Sequence, residues 1–385
     1  MRTPLRMGLY YAGIFVGTGA SLPYMPVWFR DHGLSGAQIG MILAAPMLGR
    51  VFTGPALAVW ADGFRLRRTP LMLLGFGAGL AFGSIAMVSG FPLWLICWLV
   101  AACLQGGMSP LGDVLTLRLA AREGFAYGPA RSVGSVAFVI GNLAGGAVLA
   151  AAGSNAILAW TVAAALLSGV VARLLLPPEP VHEGEAPASR SDRWAGVGHL
   201  LRDRTFMLII GSAGIIQATH AYYYGFSALL WRRQGIAESM IGALWATGVV
   251  VEICFMLLAE RIRRRVRPEQ LILIGGLAAL FRWGLSPMAL PAPLLFPLQG
   301  LHALSFTATF IGSLQLIQLR APGRYASAAQ SLATTLSGGL LIGLATLASG
   351  PLFDHFKAMG YLAMAAMALL GVAGALRLPA ALKRA

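Results

Sequence analysis

PPEPVHEGEAPASRSDRW, residues 177–194, is the one long polar stretch of the chain, and what lies on either side of it decides the fold. Prolines, four acidic residues and almost nothing apolar make it a flexible linker. On both sides the sequence turns apolar in runs of about 20 residues or more, enough to cross a hydrocarbon layer of ~30 Å as a helix. Twelve runs can be read: 6–28, 37–61, 69–89, 91–117, 128–152 and 155–176 before the linker, then 205–231, 238–260, 269–287, 292–319, 325–349 and 353–376 after it. The pattern predicts an all-α integral membrane protein. Residues 1–176 form an N-terminal six-helix bundle, 177–204 a linker, and 205–385 a C-terminal six-helix bundle.

Composition excludes a soluble domain. Of 385 residues, 57% are hydrophobic and 11% charged, where a soluble globular domain carries roughly 25% charged residues. Arg2 and Arg6 precede the first run as in a signal peptide, but that run is too long and no cleavage pattern follows, so it reads as a helix. Of the 29 Lys and Arg, 22 fall in the segments that share a side with the N-terminus, four on the other side and three inside the runs. Both termini and the linker are therefore expected in the cytoplasm. The net charge of +15 is then a topology signal, with some attraction to anionic lipid. Nucleic acid is not an expected partner, because the basic residues are scattered and lack interleaved aromatics. Cys97, Cys103 and Cys254 lie inside apolar runs and read as buried small hydrophobes. No metal-spaced cluster or cofactor motif is present in the sequence.

The two halves repeat. GLSGAQIG (33–40) follows the first run and GIAESMIG (235–242) the seventh, each after a tryptophan, Trp28 or Trp231. ADGFRLR (61–67) follows the second run and AERIRRR (259–265) the eighth, sharing an Ala-acid-x-x-Arg-x-Arg pattern. A six-helix unit duplicated in one orientation is the parallel repeat of a large class of secondary transporters, with the site between the halves near mid-membrane.

Twelve runs, a central linker and a basic turn after the second run resemble the major facilitator superfamily. The turn keeps Asp62, Arg67 and Arg68 of that family's signature, while Ala58 replaces its leading glycine and Gly63 the arginine after the aspartate. YGPARSVGSVAFVIG (127–141), HAYYYGFSALLW (220–231), VVVEI (249–253), FRWG (281–284) and LHALSFT (301–307) resemble the phenylpropionate permease group, relatives of lactose permease. The resemblance runs through nearly the whole chain. It implies a monomer in the bacterial inner membrane, with Asp62, Arg67 and Arg68 in conformational gating.

Arg50, Asp113, Arg131, Glu252 and Arg282 fall inside runs, as do His220 and His302. Each ionisable group at that depth costs about 2.5–3.5 kcal/mol or more, so it is expected to face a bundle interior or a wet cavity. Asp113 and Arg131 stand nine residues before and after the turn near residue 122, which puts them level on antiparallel helices. An ion pair is expected, either as a brace between helices or as a substrate site. The resemblance favours the second, since their spacing matches the acid and arginine of lactose permease's substrate site, with Asp in place of Glu. Glu252, Arg282 and His302 are expected to cluster in the second half. The resemblance makes Arg282 and His302 counterparts of that permease's coupling pair, but Ser305 stands where its proton-carrying glutamate lies. Glu252 is then the best available carrier, or else a fixed counter-ion of Arg282. Gln217, His220, Trp245 and the Tyr222–Tyr224 run, Tyr223 above all, suit an aromatic or hydroxylated substrate. Tyr24, Gln315 and Gln318 rate alike. Arg50 lies mid-run with no evident partner.

These readings favour proton-coupled import of a small organic anion, such as an aromatic carboxylic acid. A sugar or glycoside symporter is the near alternative, and a drug exporter the third. An intramembrane enzyme would need a nucleophile with its base or a metal set, and Ser305 near His302 is the one suggestive pair. No nucleotide-binding signature occurs, so the energy is expected from an ion gradient.

Overall fold

A computed structural model describes residues 1–181, 198–321 and 326–383. Helix occupies all twelve apolar runs. Before the linker come α1 (Thr3–Asp31), α2 (Gly36–Asp62), α3 (Arg68–Ile85), α4 (Phe91–Glu123), α5 (Tyr127–Ala152) and α6 (Ser154–Leu174). The seventh run is two helices, α7 (Arg204–Ala218) and α8 (Ala221–Arg233), followed by α9 (Glu238–Arg263) and α10 (Pro268–Leu285). The tenth comprises α11 (Ala292–Gly300), a π-helical segment Ala303–Ala308 and α12 (Thr309–Arg320). The eleventh comprises α13 (Ala326–Ala333), a second π-helical segment Thr334–Leu341 and α14 (Ile342–Phe356); α15 (Tyr361–Lys383) is the twelfth. Lipid offers the backbone no hydrogen-bond partner, so helices that satisfy themselves are what such runs can form.

By length and composition alone, nine helical stretches among the described residues can cross a membrane. The last, Ala328–Lys383, holds two of the expected spans. The seventh falls short because it breaks at Thr219 and His220, and α1 because Gly, Tyr and Pro dilute its apolar character. One boundary differs from expectation. The turn between the last two spans lies at Lys357–Gly360, not near residue 351. Pro351 sits inside α14, where a membrane helix tolerates it.

The repeat appears in the turns. Gly33 and Gly235 both take positive φ, +87° and +78°, the left-handed region that side chains disfavour. In each turn the next amide reaches back five residues, Leu34 N to Phe29 O at 3.1 Å and Ile236 N to Trp231 O at 3.0 Å. These are matched helix stops.

The chain forms two compact units, Met1–Glu185 with Phe226–Ala246, and Ala186–Gly225 with Thr247–Ala385. In the first, α1 packs on α5 and α6, and α3 on α4 and α6. Helix association in lipid depends on close approach rather than hydrophobic force. Gly141 of α5 supplies it: a Cβ there would stand 2.5 Å from the Val16 carbonyl of α1. Within this unit Arg232 pairs with Asp31 of α1 at 2.8 Å and with Glu238 of its own segment 226–246 at 3.2 Å. Beside that contact the Tyr24 hydroxyl donates to the Asn142 carbonyl. In the second unit, α15 packs on α7 and α10, and the π-helical segments lie against α10 and α7. Leu80, Leu257, Leu319 and Leu370 are among the exposed large apolar side chains of the helix surfaces, which suit a lipid solvent.

Candidate functional site

In the first unit the α1–α5 crossing lays Tyr11 and Phe15 of α1 against Arg131 of α5. The guanidinium carbon sits 4.2 Å from the Phe15 ring centre and 5.3 Å from that of Tyr11. Asp113 of α4 is level with it, but the closest approach, Arg131 Nε to Asp113 Oδ1, is 3.9 Å. That is an ion pair without a hydrogen bond. The same Oδ1 is engaged by two tyrosines, accepting from Tyr11 Oη at 2.6 Å and Tyr127 Oη at 2.9 Å. Asp113 is therefore anchored by hydroxyls, and Arg131 makes no hydrogen bond among the described residues. Both are about 30% exposed, at 31% and 29%, so the pair is only partly buried.

In the second unit the break after α7 and the tenth span assemble a buried polar cluster. Arg282 of α10 is fully buried. Its Nη1 meets His302 Nδ1 at 3.2 Å and its Nη2 donates to Gln299 Oε1 at 2.5 Å. The rings of Tyr223 and Trp283 cover its faces, with centres 4.6 and 4.5 Å from the guanidinium carbon. His302 turns its other nitrogen to Glu252 of α9, Nε2 to Oε2 at 3.4 Å. Glu252, Arg282 and His302 thus meet in a chain with the histidine in the middle. The counter-ion reading of Glu252 is corrected here: its carboxylate lies on His302, and Gln299 takes the place against Arg282. His220, also buried, bonds Ser305 Oγ through Nε2 at 3.0 Å. Ser305, in the position where a carrier glutamate is expected, serves as its hydrogen-bond partner.

The other sequence candidates fall elsewhere. Arg50 runs along Gly106 of α4, whose Cβ would lie 2.9 Å from Arg50 Nε, and it has no hydrogen bond or ion pair among the described residues. Trp245 is buried and donates to Ser227 Oγ at 3.1 Å, inside the first unit. Gln217 lines a pocket in the second unit, whereas Gln315 and Gln318 border Glu260, Arg263 and Arg264 at the end of α9. Arg67 and Arg68 bind carbonyls of Val181 and Leu176, while exposed Asp62 makes no hydrogen bond among the described residues. Cys254 is exposed, which corrects its reading as a buried hydrophobe; Cys103 is buried.

Sequence reasoning passed over Tyr11, Phe15, Tyr127 and Gln299. Tyr127 precedes Arg131 by one helical turn and Gln299 precedes His302 by nearly one, so helical spacing could have found both. Nothing local marks Tyr11, which lies 102 residues from Asp113.

The profile of the MFS_1 like family matches residues 5–363. The chain belongs to this family. It is a transporter of the major facilitator type and not an enzyme. Similar MFS proteins include one described as a probable 3-phenylpropionic acid transporter from Escherichia coli (strain K12), 29% identical over 94% of each chain. The maltose permease of Geobacillus stearothermophilus is 28% identical over 91% of this chain and 87% of its own. Among solved structures, the nucleoside transporter NupG superposes at a TM-score of 0.86 with 15% identity over 100% of both chains. An inward-facing bacterial homolog of the human lysosomal transporter Spinster gives 0.71, at 15% identity over 98% of this chain and 94% of that one. At such identities these structures speak to the MFS fold alone.

Proposed function

We propose that the chain is a monomeric secondary transporter that takes up a small aromatic carboxylate with protons across a bacterial inner membrane. The six-helix halves, 1–176 and 205–385, alternate access, and both termini and the linker 177–204 are cytoplasmic. One observation carries the reading: none of the three arginines inside the spans hydrogen-bonds a carboxylate. Arg131 stands 3.9 Å from Asp113, Arg282 is held by Gln299 and His302, and Arg50 makes no hydrogen bond or ion pair among the described residues. Cationic excess in a low-dielectric interior is costly, and a ligand carboxylate relieves it through charge-assisted, bidentate hydrogen bonds to a guanidinium. Arg131 is the first receptor for that carboxylate and Arg50 a second. Asp113, fixed by its tyrosines, sets the Arg131 position. The Glu252–His302–Arg282 chain couples the proton, and Asp62, Arg67 and Arg68 serve the gating of the cytoplasmic side. The name of the Escherichia coli relative supports the aromatic acid.

Calorimetry on the purified protein in nanodiscs, with 3-phenylpropionate against its uncharged amide, tests this. Losing the charged contacts should weaken the amide about 10- to 100-fold. Arg131→Gln should lose acid binding while remaining monodisperse. Equal affinities for acid and amide would overturn the anion reading. The maltose permease relative favours a sugar instead, so maltose belongs in the same titration, and its binding in place of the acid would establish that second reading.

A further inference from the structure

We infer that Tyr11 is a positioning residue that sets the anion preference of the first unit's site, a spacer whose hydroxyl keeps Asp113 from closing on Arg131. The inference rests on the reading of Arg131 as the carboxylate receptor and names what regulates its strength. Every residue it needs lies on α1, α4 or α5, inside the first unit.

A carboxylate and a guanidinium free to meet close into N–H···O bonds of about 2.7–2.9 Å, frequently two in parallel. Arg131 and Asp113 stop at 3.9 Å. One side chain touches both of them: the Tyr11 ring centre lies 5.3 Å from the guanidinium carbon, and the Tyr11 hydroxyl donates to Asp113 Oδ1 at 2.6 Å. That is the length of a charge-assisted O–H···O⁻ bond, roughly 2.5–2.7 Å. The same Oδ1 is the oxygen nearest Arg131, and it accepts a second hydroxyl from Tyr127 at 2.9 Å. The atom that the guanidinium would take is occupied twice.

Packing fixes Tyr11 in this role. Its side chain is fully buried, and Thr116 Oγ1, itself bonded to the Gly112 carbonyl at 2.7 Å, braces the hydroxyl at 2.9 Å. The α1–α5 crossing supplies the room. A Cβ on Gly134 would stand 2.7 Å from Phe15 Cδ2, 3.1 Å from Arg131 Nη1 and 3.2 Å from Tyr11 Cβ, so any other residue would push the spacer or the guanidinium aside. The consequence for binding follows from competition. A ligand carboxylate and Asp113 want the same guanidinium, and every hydrogen bond closed between Asp113 and Arg131 must break before the ligand's can form. A neutral analogue gains little from that guanidinium and is correspondingly insensitive to the pair. The spacer turns a pair that would otherwise be a brace between helices into a receptor for an anion.

The test is calorimetry on the full chain in nanodiscs with 3-phenylpropionate and 3-phenylpropionamide, on wild type, Tyr11→Phe and Tyr11→Phe/Asp113→Asn. Tyr11→Phe keeps the ring and removes only the hydroxyl. It should lower the acid-to-amide affinity ratio about tenfold, and adding Asp113→Asn should restore most of that ratio. A packing defect would weaken both ligands and leave the ratio alone. An unchanged ratio in Tyr11→Phe, or a lowered one that Asp113→Asn does not recover, would overturn the spacer. A second measurement needs no ligand: the coupling between Asp113→Asn and Arg131→Gln in melting temperature, taken as a double-mutant cycle in the wild-type and Tyr11→Phe backgrounds. The coupling should grow by about 2 °C or more once the pair is free to close. Equal coupling in both backgrounds would equally sink the inference. The cycle also keeps the two readings apart. Acid and amide bound alike by wild type, or neither bound, would remove the anion reading, and the coupling then decides the spacer alone. Should Tyr11→Phe fail to fold, Tyr127→Phe, which takes the second hydroxyl from Oδ1, replaces it in both measurements with the same expected signs.

Discussion

Arg282 has donors and no acceptor, so the contact from its Nη1 at 3.2 Å requires His302 to present Nδ1 as a lone pair. The ring proton then sits on Nε2, facing Glu252 at 3.4 Å. One orientation of the imidazole thus serves a permanent cation on one side and an ionisable acid on the other, and the acid is the member able to change charge without breaking the Arg282 contact. Glu252→Gln keeps the shape and an acceptor for Nε2–H but removes the exchangeable proton. Proteoliposomes bearing the variant should exchange substrate across the membrane within a few-fold of the wild-type rate and lose accumulation driven by a proton gradient by about tenfold or more. Continued accumulation would move the carrier role to Asp113. Arg131 was legible because a charge in an apolar run stands out by composition alone. Its looseness was not, since the two tyrosines that take Asp113 away from it are set by tertiary packing.

The first turn of α7 is held by one acid. Asp203 caps it, with Oδ1 accepting from the backbone amides of Thr205 at 2.9 Å and Phe206 at 3.1 Å, and Oδ2 accepting from Arg320 Nε at 2.8 Å. Burial pushes its carboxyl up, but the hydrogen bonds from Arg320 and the two amides outweigh that and hold it below the ordinary carboxylate range. A depressed carboxylate contributes its stability above the unfolded value, near ~4, and loses it as pH falls through the folded value. Thermal unfolding of the purified protein should therefore show a stabilising contribution of about 1 kcal/mol at pH 6 that fades below pH ~4. Asp203→Asn should remove that part of the pH dependence while keeping part of the cap; an unchanged acid limb would show that the carboxylate adds nothing. At this scale the sequence yields helices and turns well, because hydrophobic length and Gly33 or Gly235 are local signals. The break at Thr219 and His220 and the two π-helical segments were not legible. They are stabilised by contacts from elsewhere, such as the Trp283 Nε1 donated to Thr219 Oγ1 at 2.8 Å.

Across the whole chain, the linker divides the sequence into six spans and six, but the contacts of residues 226–246 lie with the first unit. Sequence periodicity reports which residues are apolar and cannot report which neighbour they choose, so this exchange was invisible before the structure. It has a physical footing in close backbone approach. A Cβ on Gly146 would stand 2.5 Å from the Glu238 carbonyl and one on Gly242 would stand 2.8 Å from the Tyr24 hydroxyl, so neither surface closes without glycine. Arg232 adds its pairs with Asp31 and Glu238 at the edge of that contact, partly exposed and therefore of modest worth. A chain cut within 182–197 consequently separates the first six spans from a segment that completes their packing. The N-terminal fragment expressed alone should purify as an aggregating or heat-labile species, because Asn142, Gly146 and Tyr24 lose their cover. Co-expression of both fragments should restore a monodisperse complex and uptake of labelled substrate, since no covalent link through the linker is needed to bring 226–246 back. Gly242→Trp in the intact chain separates packing from tethering: it should prevent the close approach while leaving both fragments' worth of sequence in place. Size-exclusion profiles and melting temperatures of the four samples check this. An N-terminal fragment as monodisperse and heat-stable as the whole chain would show that the 226–246 contact adds little to the first unit.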